Sequence, residues 1–104
     1  MLEKHIERQI INYLRIKGWL AIKHRSTGRF SEGKLLKLPK DELGVSDIIA
    51  VSPDGKVHFI EVKNEKGKQS DYQKTFENMV LRHRSHYTIL RSLDDVIQYV
   101  KIHG

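Results

Sequence analysis

Gly44-Val45-Ser46-Asp47-Ile48-Ile49-Ala50-Val51, then Ser52-Pro53-Asp54-Gly55, then Val57-His58-Phe59-Ile60-Glu61-Val62-Lys63 is the run whose reading decides the fold. The first block is apolar and rich in β-branched residues, as expected of a strand buried on much of both faces. Ser-Pro-Asp-Gly is a turn signature, and it leads straight into a second strand, so the two form a hairpin. Side chains alternate along a strand, which puts His58, Ile60 and Val62 on one face and Phe59, Glu61 and Lys63 on the other. Glu61 and Lys63 therefore point the same way, and Asp47 stands at the mouth of the strand paired with theirs.

Outward from this hairpin, residues 2–17 place Leu2, Ile6, Ile10, Tyr13 and Leu14 at helical spacing, and Gly18 ends the pattern. Trp19 to Lys23 has strand character. Arg25 to Gly33 is polar and punctuated by glycine, the composition of a loop. Lys34 to Leu38 reads as a short strand closed by Pro39. On the other side, 64–69 is a charged loop, and Ser70 with Gln73 resembles a capping box opening a helix to about Arg84, with Tyr72, Phe76, Met79 and Val80 as its apolar stripe. Tyr87 to Leu90 is strand-like, and Ser92 with Asp95 caps a last helix carrying Val96, Ile97 and Val100. The pattern predicts an α/β fold with a mixed central sheet flanked by helices, in a single domain over 1–104.

The chain has 104 residues, 38% of them apolar and 31% charged, so the core is small and dimerisation would help bury what remains. Lys and Arg number 19 against 13 Asp and Glu, a formal charge of +6 that favours a polyanionic partner. Between Arg15 and Lys40 eight basic residues face only Glu32. A basic run is often just a solvated face, so chemistry must decide. The absence of cysteine excludes disulfides, thiolate catalysis and Cys-ligated zinc. No apolar stretch nears the about 18 residues of a membrane span, and no signal-peptide apolar region opens the chain, so a soluble, cytoplasmic protein is expected. Histidines stand at 5, 24, 58, 83, 86 and 103. Only His83 and His86 have a helical ligand spacing, and linear spacing predicts no histidine metal site. Phosphate-loop glycine patterns and the GxSxG elbow are missing, which gives no basis for a nucleotide cofactor.

An Asp on one strand with Glu-x-Lys on its hairpin partner is a set suited to phosphodiester hydrolysis. That reaction adds negative charge to an already anionic centre, which hard divalent ions such as Mg²⁺ or Mn²⁺ offset when held by carboxylates and a backbone carbonyl. A neighbouring lysine can orient the attacking water. Glu-x-Lys alone is weak, since Glu32 and Lys34 repeat it, but that copy has no aspartate upstream. The bland alternative is an exposed ion-pairing face, worth roughly 0 to 1 kcal/mol per pair. Ile48 to Val51 beside the pair argue against it, because an unpartnered carboxylate among buried neighbours is costly and a metal relieves the cost. Clustered carboxylates also disfavour joint ionisation, so without metal Asp47 and Glu61 are expected to hold protons more tightly than isolated acids do, and a bound divalent ion to reverse that.

The residues Gly44 to Val51, Phe59 to Lys63, and Ser70-Asp71-Tyr72-Gln73 resemble the VRR-NUC branch of the PD-(D/E)xK nucleases over nearly the whole chain. The resemblance implies a restriction-endonuclease-like core, with Asp47 and Glu61 as metal ligands, the Val62 carbonyl as a backbone ligand, Lys63 as the catalytic lysine and Gln73 as an active-site helix residue. Ser46 replaces the proline of the superfamily's name, a usual departure in this branch. The first helix, with Ile6-Glu7-Arg8-Gln9-Ile10-Ile11 and Gly18-Trp19, is similar to the opening of archaeal Holliday-junction resolvases, which implies a metal-site role for Glu7. Glu3, one turn earlier, competes for it. By the same likeness Ser26, Thr27 and Gly28 resemble a loop that approaches the phosphate backbone, and Lys23, Arg25, Ser26, Thr27, Arg29, Lys34 and Lys37 form the expected DNA-binding set.

The resemblance further implies a homodimer cutting branched DNA such as four-way junctions, leaving a 5′-phosphate and a 3′-hydroxyl, in a bacterial or phage-infected cell. Two rivals remain: a non-catalytic DNA-binding module of the same fold, and a restriction-type endonuclease, for whose recognition segment 104 residues leave little room.

Overall fold

The computed structural model describes residues 1–24, 29–31, 34–36 and 44–104, with the backbone alone for 29–31 and 34–36. Helix α1 (Glu3–Ile16) is followed by strands β1 (Leu20–Lys23), β2 (Arg29–Ser31), β3 (Lys34–Leu36), β4 (Ile48–Val51) and β5 (Val57–Val62). Helix α2 (Asp71–Arg82), strand β6 (His86–Leu90) and helix α3 (Leu93–His103) complete the order.

The four-stranded sheet runs β1-β4-β5-β6. β1 and β5 flank β4 antiparallel, and β6 joins β5 in parallel after the crossover through α2. The sheet is therefore mixed, as the sequence pattern predicts. Ile48 lies opposite Ile60 and Ala50 opposite His58, so the alternation expected of β5 is the one observed.

One face of this sheet makes the core. Ala21, Ile48, Ala50, Ile60, Val62 and Leu90 pack against Ile6, Ile10, Ile11 and Leu14 of α1 and Val96 of α3. Burying such aliphatic side chains stabilises by about 1.5–3 kcal/mol each. The other face is covered by α2, where Phe76 meets Phe59 edge-on at 5.3 Å and lies 6.3 Å from Tyr87. Only Phe76 and Val80 of the expected stripe turn inward; Tyr72 and Met79 remain 48% and 40% exposed, because α2 meets the sheet over β5 and β6 and these two overhang it.

The helix ends follow local chemistry. Gly18, with φ +85°, closes α1: its N–H donates to the Arg15 carbonyl and that of Trp19 to the Leu14 carbonyl, the double bond of a Schellman cap. Ser70 and Gln73 form the expected capping box at α2, and Ser92 Oγ accepts from the Asp95 N–H at α3. The expected loop Arg25 to Gly33 needs correction at 29–31, which is strand β2, antiparallel to β3 in a separate two-stranded sheet. Backbone pairing with β3 outweighs the polar composition there. Among the described residues no helix is long and apolar enough to cross a membrane.

Candidate active site

Asp47 sits in a bend immediately before β4, one residue beyond the paired ladder, which sets it opposite Glu61. Its backbone is clamped from β1, where the His24 N–H donates to the Asp47 carbonyl at 2.7 Å. The side chain is clamped from β5, where the Val62 N–H donates to Asp47 Oδ2 at 2.8 Å. Ser46 is fully buried and its hydroxyl donates to the Ile48 carbonyl at 3.1 Å, tying down the chain that delivers the aspartate. Gly44 is required for the approach, since a methyl there would collide with the Tyr72 carbonyl at the start of α2.

Glu61 lies in the middle of this arrangement and is only 2% exposed. Among the described residues its Oε2 is buried without a hydrogen-bond partner. Burial pushes its carboxyl up to about 9; the hydrogen bond and the charge of Asp47 push the same way, Lys63 pulls back, and Glu3 adds a smaller push. At neutral pH this favours the protonated form of Glu61 bonded to Asp47, with burial the larger cause and the crowding expected from the sequence the smaller. Tyr87, on the same sheet face, is raised to about 12, chiefly by burial and further by Glu77, Glu61 and Asp47.

Lys63 follows on the same side of β5, and among the described residues its ammonium has no ion pair within 4.0 Å. The turn after it packs closely: a methyl on Gly67 would stand 3.1 Å from both the Lys63 Cδ and Glu3 Oε1. Glu3 Oε1 accepts from the Asn64 N–H at 3.3 Å. Arg91 holds this turn from beneath, donating from Nη1 to the carbonyls of Asn64 and Gly67, each at 2.7 Å.

Two carboxyls in contact, one of them buried with an orphaned oxygen, next to a free ammonium, make a donor set that suits a hard divalent cation. An ion placed there would replace the shared proton and let both carboxylates ionise. The carboxyls of Asp47 and Glu61 fit such an ion.

The remaining expected residues are placed variously. Glu7 is ion-paired with Lys23 at 3.0 Å. Lys23 is paired with Ile48 and so projects on the face that α1 covers, away from Glu61, whereas Glu3 reaches the turn after Lys63. Gln73 turns back on its own helix, its Oε1 accepting from the Ser70 N–H at 2.8 Å. Arg25, Ser26, Thr27, Gly28 and Lys37 lie outside the described residues, and Arg29 and Lys34 are described only as backbone. A cleft of about 380 Å³ along α1 is lined by Lys4, Arg8, Arg15 and Lys23 with Glu7, basic residues that the expected DNA-binding set names only at Lys23. His24 and Arg91 also escape sequence reading. Register alone puts His24 beside Asp47, and nothing local marks Arg91 as the support of a distant turn. Nor does spacing show that His58, His86 and His103 converge, each offering a ring nitrogen within 4.8 Å of the others.

No family model matches the chain, and neither does any curated protein. A solved structure described as a VRR_NUC domain superposes with a TM-score of 0.71 at 18% identity, covering 98% of this chain and 97% of that one. The chain has the fold of that domain over nearly its whole length, an α/β core with a mixed four-stranded sheet flanked by three helices.

Proposed function

We propose that this chain, built on a VRR_NUC fold, is a divalent-metal-dependent nuclease that hydrolyses DNA phosphodiester bonds with Asp47, Glu61 and Lys63 at the reacting centre. One observation carries the reading: Glu61 is buried against Asp47 with an oxygen that has no partner among the described residues. A protein gains nothing in stability from two crowded acids, so their retention points to a bound cation. When bound, Mg²⁺ or Mn²⁺ supplies positive charge that stabilises the extra negative charge of the transition state.

The residues do the rest. The Val62 N–H fixes one oxygen of Asp47 and leaves the carboxylate aimed at the site. Lys63, unpaired among the described residues, orients the attacking water and offsets charge building on the phosphoryl oxygens. The water oxygen bonds to phosphorus, its proton leaves, and the bond to the 3′ oxygen breaks as that oxygen takes up a proton. The products are a 5′-phosphate and a 3′-hydroxyl. Glu3, which bonds the turn following Lys63, supplies further negative charge on the rim, whereas Glu7 is engaged by Lys23; Gln73 fixes the start of α2 through its capping box.

The substrate we propose is branched DNA, and the active form a homodimer, whose two-fold axis would set two sites on two strands. The net charge of +6 and the basic lining along α1 support DNA as the partner; the setting proposed with it is the cytoplasm of a bacterial or phage-infected cell. The test is cleavage of end-labelled linear duplex, flap and four-way junction DNA in Mg²⁺, Mn²⁺ and Ca²⁺. Cleavage of the junction in Mg²⁺ or Mn²⁺, lost in Asp47→Ala, supports the reading. DNA binding without cleavage in any metal would instead make the chain a non-catalytic module.

A further inference from the structure

Three of the six histidines meet at the end of the sheet remote from Asp47 and Glu61. His58 is in β5, His86 in β6 and His103 in the last turn of α3. His58 and His86 are opposite one another in the parallel ladder and stack with ring centroids 4.4 Å apart at 10°. His103 closes edge-on against both, at 5.2 Å and 5.1 Å. His58 is only 1% exposed, shares a 2.6 Å hydrogen bond between Nδ1 and the Tyr99 hydroxyl, and has a buried Nε2 with no partner among the described residues.

We propose that His58, His86 and His103 bind a transition-metal ion of the zinc class, with His58 Nε2 as the fixed ligand. In the tautomer whose Nδ1–H donates to Tyr99 the Nε2 lone pair is free, the arrangement in which an outer hydrogen bond sets the tautomer of a ligating imidazole. Burial, then the charges of His86 and His103, hold His58 down at about 4, with Lys56 acting the same way and Asp54 against it. The ring is therefore neutral at pH 7, as ligation requires. A tetrahedral zinc ion at about 2.1 Å from each nitrogen sets them about 3.4 Å apart, so His86 and His103 must swing inward from separations that now reach up to 4.8 Å. Both are partly exposed, and the move costs His86 its stack on His58 and His103 its contact with Tyr99. Three protein ligands leave the fourth position to water.

This site is separate from the carboxylates. Glu61 is three residues further along β5 on the opposite face, about 10 Å along the strand at about 3.3 Å per residue. Its preference also differs, since imidazoles select Zn²⁺, Ni²⁺ or Cu²⁺ while carboxylates and a carbonyl select Mg²⁺ or Mn²⁺. An ion here would tie the end of α3 to β5 and β6 whether or not the nuclease reading holds.

The test is a Zn²⁺ titration of the full chain, free of any histidine tag, in excess Mg²⁺, followed by histidine-ring NMR and by thermal melting. The proposal predicts about one equivalent bound, shifts confined to His58, His86 and His103, and a raised melting temperature. His103→Ala and His86→Ala should each weaken binding by at least about tenfold through loss of one of three ligands, while Glu61→Gln leaves it unchanged. His103 ends the chain's last helix, so its removal spares the core, and circular dichroism verifies that. Unchanged zinc affinity in both histidine variants overturns the proposal, and so do shifts at His5, His24 or His83 alone or loss of binding in Glu61→Gln.

Discussion

At the scale of single residues the molecule turns on Glu61, whose burial is tolerable only while a proton or a cation neutralises it. Its carboxyl is raised from 4.5 to about 9, so between those values the folded chain holds a proton that the unfolded chain has released. Its contribution to stability is therefore complete below about pH 4.5 and is lost as pH rises toward about 9, with a limiting slope of about 1.4 kcal/mol per pH unit. Urea denaturation in EDTA should show this decline. Glu61→Gln, which keeps the shape without the charge, should flatten it and stabilise the metal-free chain at pH 8 by roughly 1–3 kcal/mol. A steeper decline in the variant would contradict the assignment. Lys63 plays a different part in the proposed reaction, in which affinity for DNA would belong to basic residues spread over the surface and not to one ammonium. Lys63→Ala should abolish cleavage and leave the dissociation constant for DNA nearly unchanged in a binding assay with Ca²⁺. The sequence made these residues legible: alternation sets Glu61 and Lys63 on one face, and the hairpin brings Asp47 to them. It also showed the capping box in which Gln73 accepts from the Ser70 N–H, but it could not show that Lys23 is engaged by Glu7, because that depends on how α1 seats on the sheet.

Among the elements, α2 shows where local rules hold and where they are strained. Its start obeys the capping box in detail. Its end is a Schellman cap in which Arg84 occupies the left-handed position at φ 58°, with its N–H donating to the Leu81 carbonyl and that of Ser85 to the Val80 carbonyl. A residue with a Cβ is disfavoured there. Arg84→Gly should raise stability by about 1 kcal/mol, read as an upward shift of the melting temperature without change in fold. The opposite holds at Gly44, where an added methyl meets the Tyr72 carbonyl. Gly44→Ala should lower the melting temperature and, by displacing Asp47, lower cleavage as well. The helices and main strands were legible because apolar period and capping residues agreed. β2 was not, since its residues carry no β-pattern and the strand exists only through pairing with β3.

Over the whole molecule, the sheet separates two chemistries: carboxyls under α2 at one end, and imidazoles against α3 at the other. The fold and the hairpin were readable from one contiguous stretch of sequence. The histidine cluster was not, because its members come from three elements distant in sequence, and only the parallel β5–β6 register and the seating of α3 unite them. With a charge of +6 and basic residues along α1, DNA binding should weaken steeply with salt, and the slope of log affinity against log salt counts the phosphates engaged. The buried pair Asp47 and Glu61 is the proposed seat for a divalent cation. The direct measurement is Mn²⁺ binding followed by electron paramagnetic resonance of the free ion at pH 7.5, for the natural chain and for Glu61→Gln. Saturable binding is expected of the first and its loss in the second, with both chains folded; equal binding by the two would show that the pair does not hold the ion.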